Sequence, residues 1–289
     1  MIKILIKNPE RFIWLSNIPL IGRFFSFYIP CLKFIKEDKL YADVVARLRY
    51  GDVTGKSTEI GRFDDLIDVL DLLPDQDLLI HDVGCSSGVT SLDLMSALEL
   101  KNKKYELTIS DRFLVLLIFG KRIKYLYDSD EILRQIYLGR ILCDEKLSNV
   151  FFLSRLLFQI LTPRRLRDLE IDEVDKVALV NQEVREYIES GDLIAKSYNI
   201  FMRDDDNRYN FIRCMNLLNR SYFSDDQIVV GLKNLINALE HKGHLQIGRT
   251  DIYGVNMVSV FQKNTDGLAL VLQFNGGAEI EHLVEIMNA

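Results

Sequence analysis

Apolar positions along the chain fall into three regimes. From residue 1 to 50 they recur at helical spacing. Phe12 to Ile35 is rich in apolar side chains but broken by Ser16, Asn17, Pro19, Arg23 and Pro30, and Leu40 to Arg49 continues an apolar and basic helical pattern. Residues 51–61 hold three glycines and several Ser and Thr, and read as a loop. In the second regime short apolar runs alternate with helical ones. A helix face at 63, 66, 67, 69, 70 and 73 stops at Pro74 and Asp75; a buried strand follows at Leu78–Val83, then a tight turn at Gly84–Gly88, a helix at Thr90–Leu100 and a second strand at Tyr105–Ser110. Strand, glycine turn, helix, strand is a βαβ unit. The third regime, residues 112–175, interrupts it. Phe113–Phe119 is seven straight apolar residues, and Val150–Leu161 a broad apolar helix followed by Arg164, Arg165 and Arg167. This stretch is predicted to be helical.

The alternation resumes at Val177–Val180, with a helix through Glu189, a third main strand at Leu193–Tyr198 and a fourth at Tyr209–Cys214. A helix at Asp225–Glu240 ends at Lys242 and Gly243, and His244–Gly248 forms a fifth strand. Val255–Gln262 and Leu268–Phe274 flank a turn containing Asp266-Gly267, a hairpin signal. The pattern predicts an α/β fold with a doubly wound, mainly parallel seven-stranded sheet and an antiparallel hairpin at one edge. A helical segment over 1–50 precedes the main domain, 51–289, which carries a helical insertion over 112–175.

Composition sharpens this only in places. The chain has 289 residues, is 48% hydrophobic and 27% charged, and has five prolines and no internal repeat, which suits a folded globular protein. The N-terminal apolar stretch lacks the clean run and cleavage site of a signal peptide and the roughly 20 uninterrupted apolar residues of a spanning helix. A peripheral amphipathic segment remains open. Four scattered cysteines and four histidines show no zinc-ligand spacing, and suit a reducing cytoplasm.

Charge is segregated. Residues 1–49 carry nine Lys/Arg against four Asp/Glu, residues 113–167 carry ten against five, and the whole chain is −6, so the remainder is −16. The two basic segments are also the most apolar. That composition fits a surface meeting an anionic membrane or a lipid-like ligand, or two subdomains packed on each other with Lys and Arg snorkelling at the rim. The acidic balance, with no basic stripe of interleaved aromatics, argues against nucleic acid.

The candidate chemistry sits in His81-Asp82-Val83-Gly84-Cys85-Ser86-Ser87-Gly88, after a strand and before a helix, with Asp111 at the end of the next strand. Such a turn lets backbone N–H groups approach a ligand, and an acid at that position reaches ribose hydroxyls. The spacing lacks the third glycine of a pyrophosphate site, so an adenosyl ligand without a pyrophosphate fits better. The segment resembles the first motif of class I S-adenosylmethionine-dependent methyltransferases, with Ser86 where the family has its middle glycine; serine fits there if its backbone angles are ordinary. Asn199-Ile200-Phe201 after the third strand, and Tyr209 to Phe223 with Cys214-Met215-Asn216 and the aromatic pair Tyr222-Phe223, are similar to the chemotaxis-receptor methyltransferase branch, where Met215 is an arginine. The likeness covers about residues 55–275.

The resemblance implies a Rossmann-like fold with S-adenosyl-L-methionine as cofactor. It implies that Asp82, Gly84, Ser86 and Gly88 line the methionine part, Asp111 holds the ribose, and Asn199 lies beside the adenine. Thr58 and Arg62 would come from a covering loop, and Asn216 and Tyr222 from the acceptor side. Bland alternatives stand beside these roles: Asp111 as a helix cap, Arg62 as a surface helix-start residue, Asn199 as a turn residue and His81 as a core histidine. The expected acceptor is a hydrophobic or lipid-like small molecule at a membrane surface. A protein carboxylate and a non-enzymatic binder of the cofactor are the competing readings.

Overall fold

The computed structural model describes residues 3–48, 59–129, 131–144, 152–163, 174–203 and 208–288. The chain forms two compact units, an insertion unit of residues 1–57 and 113–182 and a core unit of residues 58–112 and 183–289. In chain order the strands are β1 (Lys3–Ile6), β2 (Phe25–Phe27), β3 (Leu78–Val83), β4 (Tyr105–Asp111), β5 (Val115–Phe119), β6 (Ile123–Tyr127), β7 (Leu133–Leu138), β8 (Ile141–Asp144), β9 (Asp175–Ala178), β10 (Ile194–Ser197), β11 (Tyr209–Met215), β12 (Leu239–Thr250), β13 (Asn256–Asn264) and β14 (Gly267–Phe274). The α-helices are α1 (Pro9–Ser16), α2 (Asp38–Arg47), α3 (Val89–Leu100), α4 (Phe152–Leu161), α5 (Gln182–Ser190), α6 (Asp225–Ala238) and α7 (Glu281–Asn288).

The core unit is a seven-stranded sheet in the order β10-β4-β3-β11-β12-β13-β14. The first five strands are parallel, β13 runs antiparallel to β12, and β14 pairs antiparallel with β13. The strand order reverses beside β3: the chain leaves it first toward β4 and later crosses to β11. In open α/β sheets the crevice outside the strand ends at such a reversal is where ligands bind. Apolar residues of β11 and β12 (Ile212, Leu245, Ile247) pack against Ile228, Leu232 and Leu235 of α6 and Leu283 and Val284 of α7. The expected α/β sheet with an edge hairpin is present.

The insertion unit departs from its predicted helices. Its sheet runs β2-β1-β8-β7-β6-β5-β9, and β5 to β8 form an antiparallel meander where a helical insertion was expected. Seven consecutive apolar residues fit a buried strand as well as a helix. Two glycines decide between them: Gly120 at φ 90° and Gly139 at φ 60° turn the chain between β5 and β6 and between β7 and β8. A Cβ on Gly120 would lie 2.3 Å from the Ile123 carbonyl oxygen, so only glycine allows that turn. Buried Asp128 fixes the next turn, accepting from the Ile132 N–H at 2.9 Å and from Arg134 Nε at 2.7 Å. The helix expected at the end of the insertion is present as α4.

Residues 1–50 are likewise only partly helical, with α1 and α2 beside the short strands β1 and β2. The two basic segments do form one unit, but through strand pairing of β1 with β8. Their shared core joins Phe12, Phe27, Leu32, Tyr41 and Val44 to Leu116, Leu126, Tyr137 and Leu142. In place of the expected division into residues 1–50 and 51–289 there is a discontinuous pair of units, because β1 pairs on one side with β2 of its own segment and on the other with β8 of the insertion.

Two smaller differences lie in the core unit. The helix expected over 62–73 is a 3-10 helix at Asp64–Leu72, whose nine residues include four aspartates, poor helix formers. Helix α6 ends at Ala238, and β12 begins at Leu239, ahead of the expected Lys242-Gly243 stop.

Candidate functional site

The glycine turn is set by β3 and β4. The N–H groups of Gly84 and Cys85 both donate to the Ser110 carbonyl, at 2.8 and 3.0 Å, which lays the turn across the end of β4. Gly84 (φ 79°) and Gly88 (φ 82°) adopt the left-handed conformation. Added Cβ atoms would sit 3.0 Å from Leu217 and 2.8 Å from Val184, so glycine is required there by backbone angle and by space. Gly88 is also the N-cap of α3 and offers no side-chain cap to its first turn.

Ser86 has φ 58°. The condition of ordinary angles is thus not met: serine occupies a left-handed position that glycine fills in the resembled motif, at a cost of about 1–2 kcal/mol. Its backbone N–H donates to Asp111 Oδ2 at 3.1 Å. The turn and the acid 25 residues after Ser86, both singled out in the sequence, are therefore in direct contact.

Asp82 is engaged differently. Its carboxylate accepts from Arg213 Nε at 2.9 Å and Arg213 Nη2 at 2.6 Å, and from Ser91 Oγ at 2.5 Å, and Arg213 also donates to the Thr90 carbonyl at 2.8 Å. Both ions are nearly excluded from water, Asp82 at 3% and Arg213 at 4% exposure. The pair clamps β3, β11 and the start of α3 together and so fixes the base of the turn.

The remaining candidates divide. Tyr198 N–H donates to the Asp111 carbonyl at 3.2 Å, which brings the end of β10 and the neighbouring Asn199 toward Asp111. Asn199 Oδ1 accepts from the Phe201 N–H at 3.1 Å, a local turn contact. Asn216 is left-handed (φ 59°) at the end of β11. Its Oδ1 accepts from the Thr250 N–H at 2.7 Å and its Nδ2 donates to Thr250 Oγ1 at 3.3 Å. Thr250 Oγ1 donates in turn to Asn256 Oδ1 at 2.8 Å, and Asn256 Nδ2 donates to the Arg62 carbonyl at 2.8 Å and to Asp65 at 2.7 Å. Arg62 and Asn216 are thereby linked. Tyr222 lies outside this network, exposed on the loop before α6 with its ring edge-on to Phe223. Thr58 lies outside the described residues.

Sequence reasoning missed Arg213, Ser91, Thr250 and Asn256. Asn256 meets Arg62 across 194 residues of chain, a pairing no local pattern signals. His81 is a core residue: its Nε2 lies 2.7 Å from Ser110 Oγ, and its ring 4.7 Å from that of Tyr209. Burial, with Lys196 adding to it, pushes its pKa down to about 3, so it is neutral at physiological pH. A small, shallow cleft lies on the α3 side of the sheet, lined by Phe63, Leu70, Asp93, Arg213 and Gln246 among others, and no residue of the glycine turn borders it.

Neither a protein-family model nor a curated protein sequence matches the chain. Solved structures do. A Methanosarcina mazei S-adenosylmethionine-dependent methyltransferase is 15% identical, with 62% of this chain and 55% of that one covered at a TM-score of 0.30. Haemonchus contortus phosphoethanolamine N-methyltransferase 1, in complex with phosphoethanolamine and S-adenosylhomocysteine, is 11% identical over 66% of this chain and 26% of that one, with a TM-score of 0.33. A Pyrococcus horikoshii OT3 protein is 11% identical over 78% and 79%, with a TM-score of 0.37. The chain thus spans about half and a quarter of the first two. The strand order and the turn described above, rather than these likenesses, define the fold.

Proposed function

We propose that the core unit binds S-adenosylmethionine across the ends of β3 and β4 and directs transfer of its methyl group to an acceptor. The observation that carries this reading is the Ser86 N–H to Asp111 contact at the reversal of strand order. There the Ser86 N–H meets a carboxylate, a group suited to pairing with vicinal hydroxyls, and two non-glycine residues, Ser86 and Asn216, hold left-handed angles at adjacent strand ends. Backbone strain of this kind concentrates at ligand sites. The group supplies a methyl already activated on a sulfonium, so the protein's task is to hold donor and acceptor in line. Gly84, Ser86 and Gly88 form the cradle, Asp111 orients it, and the Asp82–Arg213 pair keeps the cradle in place.

For the acceptor we infer a hydrophobic or lipid-like small molecule met at the inner face of a membrane. The support is composition: the insertion unit holds 21 Lys/Arg against 15 Asp/Glu and the core unit 15 against 27, so net charges of +6 and −12 divide along the structural boundary. Among the described residues no helix is long and apolar enough to cross a membrane. Calorimetric titration of the purified chain tests the cofactor. Micromolar binding of S-adenosylmethionine or S-adenosylhomocysteine is expected, and Asp111→Ala should weaken it by about 1–3 kcal/mol. Undetectable binding of both ligands to the folded chain overturns the reading. Binding without methyl incorporation in a cell lysate, or incorporation into protein carboxylates, would replace the acceptor by a non-enzymatic or a protein-directed role.

A further inference from the structure

The insertion unit presents an apolar projection at its N-terminal end. Helix α1 begins at Pro9, capped by Asn8, and buries Phe12 and Leu15, which leaves Trp14 on its outer side at 65% exposure. The chain then doubles back: the Ile21 N–H donates to the Pro19 carbonyl at 2.8 Å and the Gly22 N–H to the Ile18 carbonyl at 2.9 Å. Leu20, at this tip, is 81% exposed, followed by Ile21 at 46% and Phe24 at 37%. Four large apolar side chains within eleven residues thus face solvent, and large exposed apolar patches mark interaction sites.

Two features show that the projection is built and held. Leu20 has φ 66°, a conformation that disfavours leucine, so the fold holds a strained backbone in order to set an apolar side chain in water. Gly22 is pressed so closely on the end of α1 that a Cβ would lie 2.4 Å from the Ser16 carbonyl oxygen, which locks the turn to the helix.

We propose that the turn Trp14–Phe24 inserts into the headgroup region of an anionic lipid bilayer and docks the insertion unit there. The tip is a tight turn carrying exposed apolar side chains, and a fluid surface accommodates such a turn without needing a matching pocket. The charge is complementary: in the sequence Lys7, Arg11 and Arg23, against Glu10, flank the apolar segment, and the unit that bears it is net +6. Apolar tip and basic flank together are the composition of an interfacial anchor. The proposal deepens the membrane part of the function inferred above and does not need the cofactor reading to hold.

Trp14 is the chain's single tryptophan, so its fluorescence reports this turn directly. The full-length chain is mixed with vesicles of phosphatidylcholine and phosphatidylglycerol, and with vesicles of phosphatidylcholine alone. Trp14 emission should shift to the blue with the anionic vesicles, much less with the neutral ones, and the shift should recede at high salt. Leu20→Gly removes the side chain and relieves the strain together. Its vesicle partition, read by sedimentation, should fall roughly five- to tenfold, while its thermal midpoint holds or rises and its S-adenosylhomocysteine affinity is unchanged. Absence of a shift with anionic vesicles in a chain that unfolds cooperatively overturns the proposal. Equal partition of Leu20→Gly does the same, as does a blue shift that grows with protein concentration in the absence of lipid, which would make a second copy the occupant. Vesicle binding without S-adenosylhomocysteine binding would remove the methyltransferase reading and leave the anchor.

Discussion

Ser86 shows how one residue both fits and strains the motif that contains it. The turn needs left-handed angles at Gly84, Ser86 and Gly88, and serine meets the demand only with strain. Ser86→Gly is expected to match or exceed the parent in thermal stability and to keep cofactor binding. Ser86→Val is expected to lose about 2 kcal/mol or more, because a β-branched side chain disfavours positive φ strongly. Thermal unfolding of the two variants checks this; equal loss in both would mean that the hydroxyl, not the backbone, matters. Asn216 holds the same region of backbone space at less cost, since asparagine tolerates it.

At the scale of elements, the decisive contact joins β3 to β11. Arg213 and Asp82 are register partners on neighbouring strands, and their buried, bidentate pair with Ser91 adds the start of α3. A pair this well buried costs desolvation, so its worth appears mainly when one partner is removed. Arg213→Met should destabilise the chain by about 3–5 kcal/mol by stranding the Asp82 carboxylate, and the double variant with Asp82→Asn should recover part of that loss. Chemical denaturation of both variants provides the measurement. A double variant no better than Arg213→Met would show that the loss is one of packing instead, since the Arg213 guanidinium also stacks over the Phe63 ring at 5.4 Å.

At the scale of the whole molecule, acid stability follows from His81. Burial holds its pKa in the folded chain near 3, against an ordinary value of 6.5 in the unfolded one. Above 6.5 both states are neutral there and the residue adds no pH dependence. As the pH falls from 6.5 toward 3 the unfolded chain takes up a proton that the folded chain refuses, so stability declines across that window. His81→Gln should flatten the decline between those limits, whatever it does to stability at neutral pH; an unchanged slope in denaturant titrations at a series of pH values would assign the acid sensitivity to other groups.

The strand, glycine turn, helix and second strand of the core unit were legible in the sequence, as was the edge hairpin, because each follows from local periodicity and turn chemistry. Asp82, the turn glycines and Asp111 could be picked out because the resembled motif lies within 30 residues of chain. The insertion could not be read this way. An apolar run such as Phe113–Phe119 satisfies a buried strand and a buried helix equally, and the Gly120 turn together with the partners supplied by β6 and β9 makes it a strand. The pairing of β1 with β8, the Asp82–Arg213 clamp and the Asn216–Thr250–Asn256 link to Arg62 join positions far apart in the chain. Sequence by itself determined the local backbone where periodicity and turn chemistry agree, as in the strand, glycine turn, helix and strand of the core unit. Tertiary structure decided which of them meet, because strand pairing and buried polar contacts depend on partners that local preference does not name.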